Sequence, residues 1–254
     1  MAITPYCYLF YSMQEPDFRF KQFSIWHDQC AMKVNTDGIL LGAWSSLTSA
    51  KSILDIGSGT GLIALMLAQK AAEAKQDTQI TAVEIDPAAA NQASTNVARS
   101  PWSQQIEVVK QDIQSFSRDR SVKFDLLVSN PPYFTNSLRA QGESRDKARH
   151  NDGLSFDDLL KSAEKLCSDS ATFNLILPNN EADRLLKLAP DFNWHLRNRC
   201  QVSTVTGKTP TRSLLSLTRT KVAVPTTTEL VIRDKTNSYT QEFTELCRAY
   251  YLFM

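Results

Sequence analysis

The sequence predicts a doubly wound α/β domain, with a mostly parallel sheet covered by helices on both faces. Strand-like and helix-like segments alternate from residue 51 to residue 189, and the connections between them are short. Two further strand-like segments, 194–204 and 212–223, add a closing antiparallel strand and bring the predicted total to seven. Ligands of such a sheet bind at the carboxyl ends of its strands.

The individual elements are predicted from hydrophobic patterns and from the residues at their ends. Residues 18–28 alternate as a strand or hairpin does, and residues 36–44 are typical of a turn that enters a short helix. Asp86 is a helix cap and Pro87 a first helical residue, where the missing N–H is tolerated. The other predicted strands are 51–56, 79–85, 106–112, 123–129 and 171–178, and the predicted helices are 62–74, 87–99, 154–167, 180–189 and an amphipathic segment at 238–254.

Composition and cysteine spacing exclude several classes of protein. The 254 residues are 42% apolar and 22% charged, which is typical of a globular domain, and no apolar run approaches the ~20 residues of a membrane span. The five cysteines form no C-x-x-C pair, so we expect no disulfide framework, no metal site and a cytoplasmic location. We expect a disordered leader at 1–16 and one domain at 17–254, in which 17–50 form a short extension.

A glycine-rich segment, DIGSGTG, follows the first predicted parallel strand and opens a helix. Gly57, Gly59 and Gly61 allow a tight turn and let a ligand lie against backbone amides. The G-x-G-x-G spacing differs from the G-x-G-x-x-G pattern of dinucleotide sites, and the carboxylate of Asp55 would repel phosphate. The segment therefore favours a ligand without phosphates.

Two carboxylates at the ends of the next strands define that ligand further. Glu84 can accept hydrogen bonds from both hydroxyls of a ribose, and Asp112 can accept one from an adenine amino group. Helix capping would be the purely structural explanation of such carboxylates. Together with Asp55, which suits a cationic amino acid tail, they predict S-adenosylmethionine.

The segment VSNPPYF, residues 128–134, follows the fourth predicted parallel strand. An aromatic amine is hard to methylate because its lone pair is delocalised into the ring, and two acceptors for its N–H groups would free that lone pair. Asn130 offers its side-chain oxygen and Pro131 its backbone carbonyl. Pro131 and Pro132 restrict φ and hold this carbonyl in place, and Tyr133 can stack on an unpaired base. The segment predicts in-line methyl transfer to a planar nitrogen without a side-chain general base.

The order of the motifs DIGSGTG, VEID, QDI and NPPYF resembles the class I, Rossmann-like S-adenosylmethionine-dependent methyltransferases. The segments FRFKQFSIWHDQCAMKVNTDGILLGAW, ARHNDGLSFDDLL and GKTPTRSLL resemble one branch, the bacterial tRNA(Val) adenine-N6 methyltransferases, over about Asp17 to Tyr251. The resemblance implies a tRNA partner and methylation of the adenine that follows the anticodon.

The resemblance also implies roles for individual residues. The implied catalytic residues are Asn130, Pro131, Pro132 and Tyr133. The implied cofactor contacts are Thr36, Asp37, Asp55, Gly57, Gly59, Gly61, Glu84, Ile85, Asp112, Ile113 and Asn130. Basic residues after the catalytic motif and near the closing strands are either RNA contacts or solvated charges, and they are Arg139, Arg145, Lys147, Arg149, His150, Lys208 and Arg212.

Other acceptors and another class of protein stay open. An N-P-P-Y motif suits any planar carboxamide or amine, so a glutamine side chain of a protein, or an adenine of ribosomal RNA or DNA, is an alternative acceptor. The net charge of +1 indicates no nucleic-acid partner by itself, and no obligate protein partner is evident. A non-catalytic nucleotide-binding module is a different class, against which Asn130 counts.

Overall fold

A computed structural model of the protein describes residues 15–48, 50–132 and 154–254. The first part consists of β1 (Phe18–Arg19), β2 (Ser24–Ile25), α1 (Thr36–Trp44), β3 (Ser52–Ile56), α2 (Leu62–Glu73), β4 (Gln79–Glu84), α3 (Pro87–Ala98), β5 (Ile106–Lys110), α4 (Ile113–Asp119) and β6 (Phe124–Ser129). The second part consists of α5 (Phe156–Leu166), β7 (Cys167–Pro178), α6 (Asn179–Leu188), a 3₁₀ turn (Ala189–Phe192), β8 (His195–Val205), β9 (Arg212–Thr218), β10 (Thr226–Arg233) and α7 (Gln241–Cys247).

The strands β3 to β10 form one sheet in the order β10-β8-β9-β7-β6-β3-β4-β5. Neighbours are parallel except at β9, which is antiparallel to both β7 and β8. The doubly wound α/β class is confirmed, but the predicted count of seven strands is wrong because β10 adds an eighth beside β8. The sequence pattern missed β10 because its first four residues, Thr226–Glu229, are polar and exposed.

One edge of this sheet collects the ends of most strands. β3, β4, β6, β7, β8 and β10 all point the same way, and β9 starts where they end, since Arg212 pairs with Pro178. We call this the carboxyl edge, which is marked by Ile56, Glu84, Ser129, Pro178, Val205 and Arg233. The glycine-rich segment and the N-P-P motif both lie directly after strands that end there.

Two hydrophobic clusters cover the two faces of the sheet. Side chains alternate between them along β3, so that Ile53 belongs to one cluster and Leu54 to the other. The first cluster is completed by the β1–β2 hairpin, α1, α2, α3 and α7, and the second by α4, α5 and α6. In the described part of the chain, no helix is long and apolar enough to cross a membrane.

The C-terminal segment differs from the sequence prediction. A helix was expected over 238–254, but α7 covers only Gln241–Cys247, with Thr240 as its cap. The chain then turns back, and Tyr251 forms a bridge with Phe20 of the hairpin region. The ring of Tyr251 therefore packs on Phe18 and Phe20 of the hairpin region instead of extending the helix, whereas Phe253 is exposed.

Candidate active site at the carboxyl edge

The glycine-rich turn between β3 and α2 leaves open space for a ligand. Gly57, Gly59 and Gly61 have φ values of +70°, +55° and +79°, which L side chains rarely adopt. A Cβ atom on Gly57 or Gly59 would meet no atom within 4 Å, whereas one on Gly61 would lie 3.4 Å from the Cβ of Ala93. The first two glycines therefore line a space, and the third allows close packing of α2 on α3.

Asp55 is completely buried beneath this turn. Its Oδ2 accepts a hydrogen bond from the N–H of Ala64 (3.1 Å), and its Oδ1 accepts none from the described residues. Burial raises the pKa of this carboxyl to about 7, and the negative charge of Glu84 acts in the same direction. A cation bound nearby would favour the ionised form, so Asp55 fits the ammonium end of a ligand.

Glu84 joins the end of β4 to the glycine-rich turn. It is 8% exposed, and its two oxygens accept hydrogen bonds from the N–H groups of Gly59 (2.8 Å) and Asp86 (2.9 Å). Each oxygen keeps a further lone pair, so the carboxylate can still accept from two hydroxyls. Asp86 caps α3 through Ala89, as its sequence position predicts.

The residues predicted for adenine lie beside Glu84. Ile85 is 67% exposed and offers an apolar surface next to the expected ribose ligand, while Ile113 is buried. Asp112 caps α4, because its Oδ1 accepts from the N–H of Ser115 (2.7 Å), and this hydrogen bond holds the pKa of Asp112 below its usual value. Its carboxylate thus has a structural partner, and its contact with adenine stays a prediction.

The start of α1 brings Thr36 and Asp37 to the carboxyl edge. Asn35 caps the helix by accepting from the N–H of Gly38 (2.9 Å). Asp37 Oδ2 accepts from Nε of Arg212, the first residue of β9, over 2.9 Å. Arg212 was predicted as an RNA contact, and the structure gives it this ion pair at the same edge.

The other end of α1 is held by Lys70 of α2, a residue that the sequence reasoning missed. Its Nζ donates to the carbonyl oxygens of Gly42 (3.2 Å), Ala43 (2.7 Å) and Ser45 (2.6 Å). Burial lowers the pKa of Lys70 to about 8. The ammonium group satisfies the carbonyls at the helix C-terminus, where a positive charge is favourable.

Asn130 follows β6, which Ser129 ties to β3 by donating to the carbonyl oxygen of Ile56 (2.8 Å). The Oδ1 atom of Asn130 is shielded from solvent and accepts no hydrogen bond from the described residues. Pro131 is buried and Pro132 is exposed. The remaining predicted residues of this region lie outside the described residues, namely Tyr133, Arg139, Arg145, Lys147, Arg149 and His150.

The segment Cys30–Val34, just before α1, lies across the site and was also missed from sequence. Met32 is 44% exposed, and its Sδ lies 4.0 Å from Nδ2 of Asn130. Burial raises the pKa of the Cys30 thiol to about 11, and the carboxylates of Glu84 and Asp86 add to this shift, which places the segment close to both. Its position directly before the predicted cofactor residues of α1 was the available signal.

Comparison with known proteins identifies the family. The model of the Methyltransferase small domain family matches residues 37–144. A tRNA1(Val) (adenine(37)-N6)-methyltransferase of Bacteroides thetaiotaomicron is 47% identical over 242 residues, which cover 95% of this chain and 100% of that protein. The chain belongs to the tRNA1(Val) (adenine(37)-N6)-methyltransferase family. Another protein of that name, from Pseudoalteromonas translucida, is 45% identical over 237 residues, or 93% of this chain and 99% of its own length.

The fold of this family member is shared with a solved structure of low sequence identity. A predicted O-methyltransferase from Agrobacterium tumefaciens superimposes with a TM-score of 0.60 at 16% identity, over 84% of this chain and 96% of that one. At that identity the likeness concerns the fold alone. The Rossmann-like α/β fold with a mostly parallel sheet, predicted from the sequence, is confirmed.

The predicted site of this methyltransferase is therefore assembled along one edge. The glycine turn follows β3, the strand next to β6 and Asn130, and the candidates on β4 and α4 follow one and two strands beyond it. On the other side of Asn130, Arg212 of β9 bonds Asp37 of α1, and Lys208 lies in the turn before β9. Within residues 15–48, 50–132 and 154–254, no group of three or more His, Cys, Asp or Glu side chains could hold a metal ion.

Proposed function

We propose that this protein transfers a methyl group from S-adenosyl-L-methionine to N6 of adenine 37 in tRNA(Val), the reaction named for its relatives. The observation that carries the proposal is the Oδ1 atom of Asn130. It is a solvent-shielded acceptor without a partner among the described residues, and it lies next to the glycine turn of a methyltransferase fold. Because tRNA is the acceptor, the protein acts in the cytoplasm.

The residues of the carboxyl edge fit S-adenosyl-L-methionine. The cofactor supplies a methyl group on a positively charged sulfur. Glu84 binds the ribose hydroxyls with its remaining lone pairs, and Ile85 packs against the adenine ring. The space beside Gly57 and Gly59 admits the amino acid tail, and the buried carboxyl of Asp55 attracts its ammonium group.

Asn130 and Pro131 hold the amine that is methylated. The Asn130 side-chain oxygen and the Pro131 carbonyl accept the two N–H bonds of the adenine amino group. The nitrogen then pyramidalises and its lone pair points to the donor methyl group. Acceptors that strengthen as this geometry forms stabilise the transition state more than the bound substrate. Transfer of the methyl group leaves S-adenosylhomocysteine as the second product, and water takes the proton that the alkylated nitrogen loses.

The test is methyl transfer to defined acceptors. Purified protein and labelled S-adenosyl-L-methionine are incubated separately with tRNA(Val), with the same tRNA carrying guanine at position 37, and with ribosomal RNA, DNA and protein fractions. Label should enter only the first sample and should appear as N6-methyladenosine after digestion to nucleosides. Label in the guanine variant, in ribosomal RNA or DNA, or in a glutamine side chain would overturn the proposal.

A further inference from the structure

The eighth strand, β10, joins two loops at the far end of the carboxyl edge. β10 is parallel to β8, with Arg233 opposite Val205, so the loop after β10 lies beside the β8–β9 turn. The N–H of Thr206 donates to the carbonyl oxygen of Arg233 over 2.9 Å. This hydrogen bond connects the two loops, and we call the unit of residues 206–211 and 233–239 the hairpin surface.

The hairpin surface is basic, exposed and contains an aromatic ring. Lys208 and Lys235 are exposed. Arg233 lies over the ring of Tyr239, with its Cζ 4.1 Å from the ring centroid, and Tyr239 is 40% exposed. Three basic residues (Lys208, Arg233, Lys235) and one acidic residue (Asp234) give a net charge of +2.

The one carboxylate of the hairpin surface serves the loop itself. Asp234 Oδ1 accepts from Oγ1 of Thr236 (2.7 Å) and from the N–H groups of Thr236 (2.8 Å) and Ser238 (3.0 Å). These hydrogen bonds hold the pKa of Asp234 below its usual value, and the bond from the Thr236 hydroxyl has the largest effect. The carboxylate therefore fixes the loop that carries Lys235 and stays within it, while the two lysines face solvent.

The position of the hairpin surface suits contacts with an RNA strand away from the target base. Asn130 follows β6. In the sheet, β8 lies three strand spacings from β6, and β10 lies four. At about 4.8 Å per strand this is roughly 14–19 Å along the same edge. Such a distance is too large for contact with the flipped adenine and corresponds to several nucleotides of the chain. Phosphate contacts at that range orient a nucleic acid without reading its bases.

We infer that the hairpin surface binds phosphate groups of the tRNA backbone, with Lys208 and Lys235 as the principal contacts and Arg233 with Tyr239 as their support. This inference rests on the proposed function, because it takes tRNA as the acceptor. It adds Lys235 and the β10 loop, which no sequence pattern indicated, to the role predicted for Lys208. The surface positions the substrate and takes no part in the chemical step.

A pair of lysine substitutions tests the inference. The variant Lys208→Ala/Lys235→Ala is compared with Lys51→Ala/Lys221→Ala, in which two exposed lysines near the opposite edge of the sheet are removed. Binding of tRNA(Val) is measured over a series of salt concentrations. Each phosphate contact contributes about 0.7–0.9 to the slope of log affinity against log salt, so the first variant should lose roughly 1.4–1.8 of the slope. The second variant should keep the wild-type slope.

Charge-preserving substitutions and kinetics complete the test. Lys208→Arg/Lys235→Arg should retain the slope, since phosphate binding needs the charge. The alanine variant should have a KM for tRNA raised about tenfold and a kcat within about twofold of wild type, because the lost contacts are made equally before and during the reaction. Wild-type slope and KM in the alanine variant would overturn the inference alone. Absence of tRNA methylation by the wild-type protein would overturn the proposed function instead.

Discussion

Replacing Asn130 by alanine should separate catalysis from stability. No described residue donates a hydrogen bond to Asn130 Oδ1, so we expect the substitution to remove an acceptor for the bound amine and no hydrogen bond with the described part of the fold. Loss of one such acceptor in a transition state typically costs about 2.7–4 kcal/mol, which is a decrease of about 10²–10³ in kcat. The free energy of unfolding should change by less than about 1 kcal/mol, since the Asn130 oxygen accepts no hydrogen bond from the described residues that the substitution would break.

Asn179 provides a matched control at the same edge of the sheet. It follows β7 as Asn130 follows β6, but both ends of its amide are used. Its Nδ2 donates to the carbonyl oxygen of Pro210 (2.6 Å), and its Oδ1 accepts from Oγ of Ser213 (2.7 Å). Asn179→Ala should therefore lower the free energy of unfolding by about 1–3 kcal/mol and leave kcat within a few-fold of wild type.

Both variants are assayed by single-turnover methylation of tRNA(Val), by calorimetric binding of S-adenosylhomocysteine and by urea denaturation. Asn130→Ala should bind S-adenosylhomocysteine within about twofold of wild type. The acceptor role is refuted by a wild-type single-turnover rate in Asn130→Ala. If Asn130→Ala lost as much stability as Asn179→Ala, the Asn130 side chain would have a structural hydrogen bond, and its assignment as an acceptor kept for the substrate would be refuted.

Three other substitutions test the ribose ligand, the buried carboxyl and a structural carboxylate. Glu84→Ala should weaken binding of S-adenosylhomocysteine at least tenfold, because two hydroxyl contacts are lost. The affinity of the wild-type protein for S-adenosylhomocysteine should fall about tenfold per pH unit below pH 7, because Asp55, with a pKa of about 7, attracts the ammonium group only when it is ionised. Asp55→Asn should remove this pH dependence. Asp125→Asn should lower the free energy of unfolding at pH 7 by about 1–2 kcal/mol, because its carboxylate accepts from the N–H groups of Lys51 (3.0 Å) and Ser52 (3.1 Å).

Calorimetry measures the first two effects and urea denaturation the third. Glu84→Gln, which keeps an acceptor, should bind better than Glu84→Ala, and equal affinities of all three proteins would contradict the ribose role. A flat pH profile of affinity in the wild-type protein would contradict the role of Asp55.

Hydrogen bonds hold the pKa of Asp125 below its usual value against the opposing effect of burial. Its contribution is therefore fully present above about pH 4 and decreases as the pH falls toward the lowered pKa of the folded state, so a stability difference that stayed constant from pH 7 down to pH 3 would contradict this assignment.

The parts of the fold that local patterns determine were predicted well. Residues 36–44, predicted as a turn that enters a short helix, are helical throughout as α1, and Asp86 and Pro87 start α3 as their residue types dictate. The location of the motif residues in the candidate site was predicted from sequence, because residues at the carboxyl ends of parallel strands lie at the same edge of the sheet. Asn130, Glu84 and Asp55 lie there for that reason.

The features that were missed depend on contacts between distant segments. β10 has an exposed polar start and becomes a strand by pairing with β8. Lys70 reads as an ordinary helix lysine until α1 places three carbonyl groups around its ammonium group. The contact of Met32 with Asn130 joins residues 98 positions apart, and no local pattern indicates it.

The attachment of α1 at both ends has a consequence for biosynthesis. One end is fixed by Lys70, which leaves the ribosome soon after α1, and the other by Arg212, which is made more than 170 residues later than Asp37. A nascent chain that stops before β9 therefore has the glycine turn and Asn130 but lacks the ion pair that fixes the start of α1. The part of the predicted site that carries Thr36 and Asp37 gains this ion pair only when the C-terminal strands join the sheet, so premature termination should yield chains that retain the donor-binding motifs without a fixed start of α1.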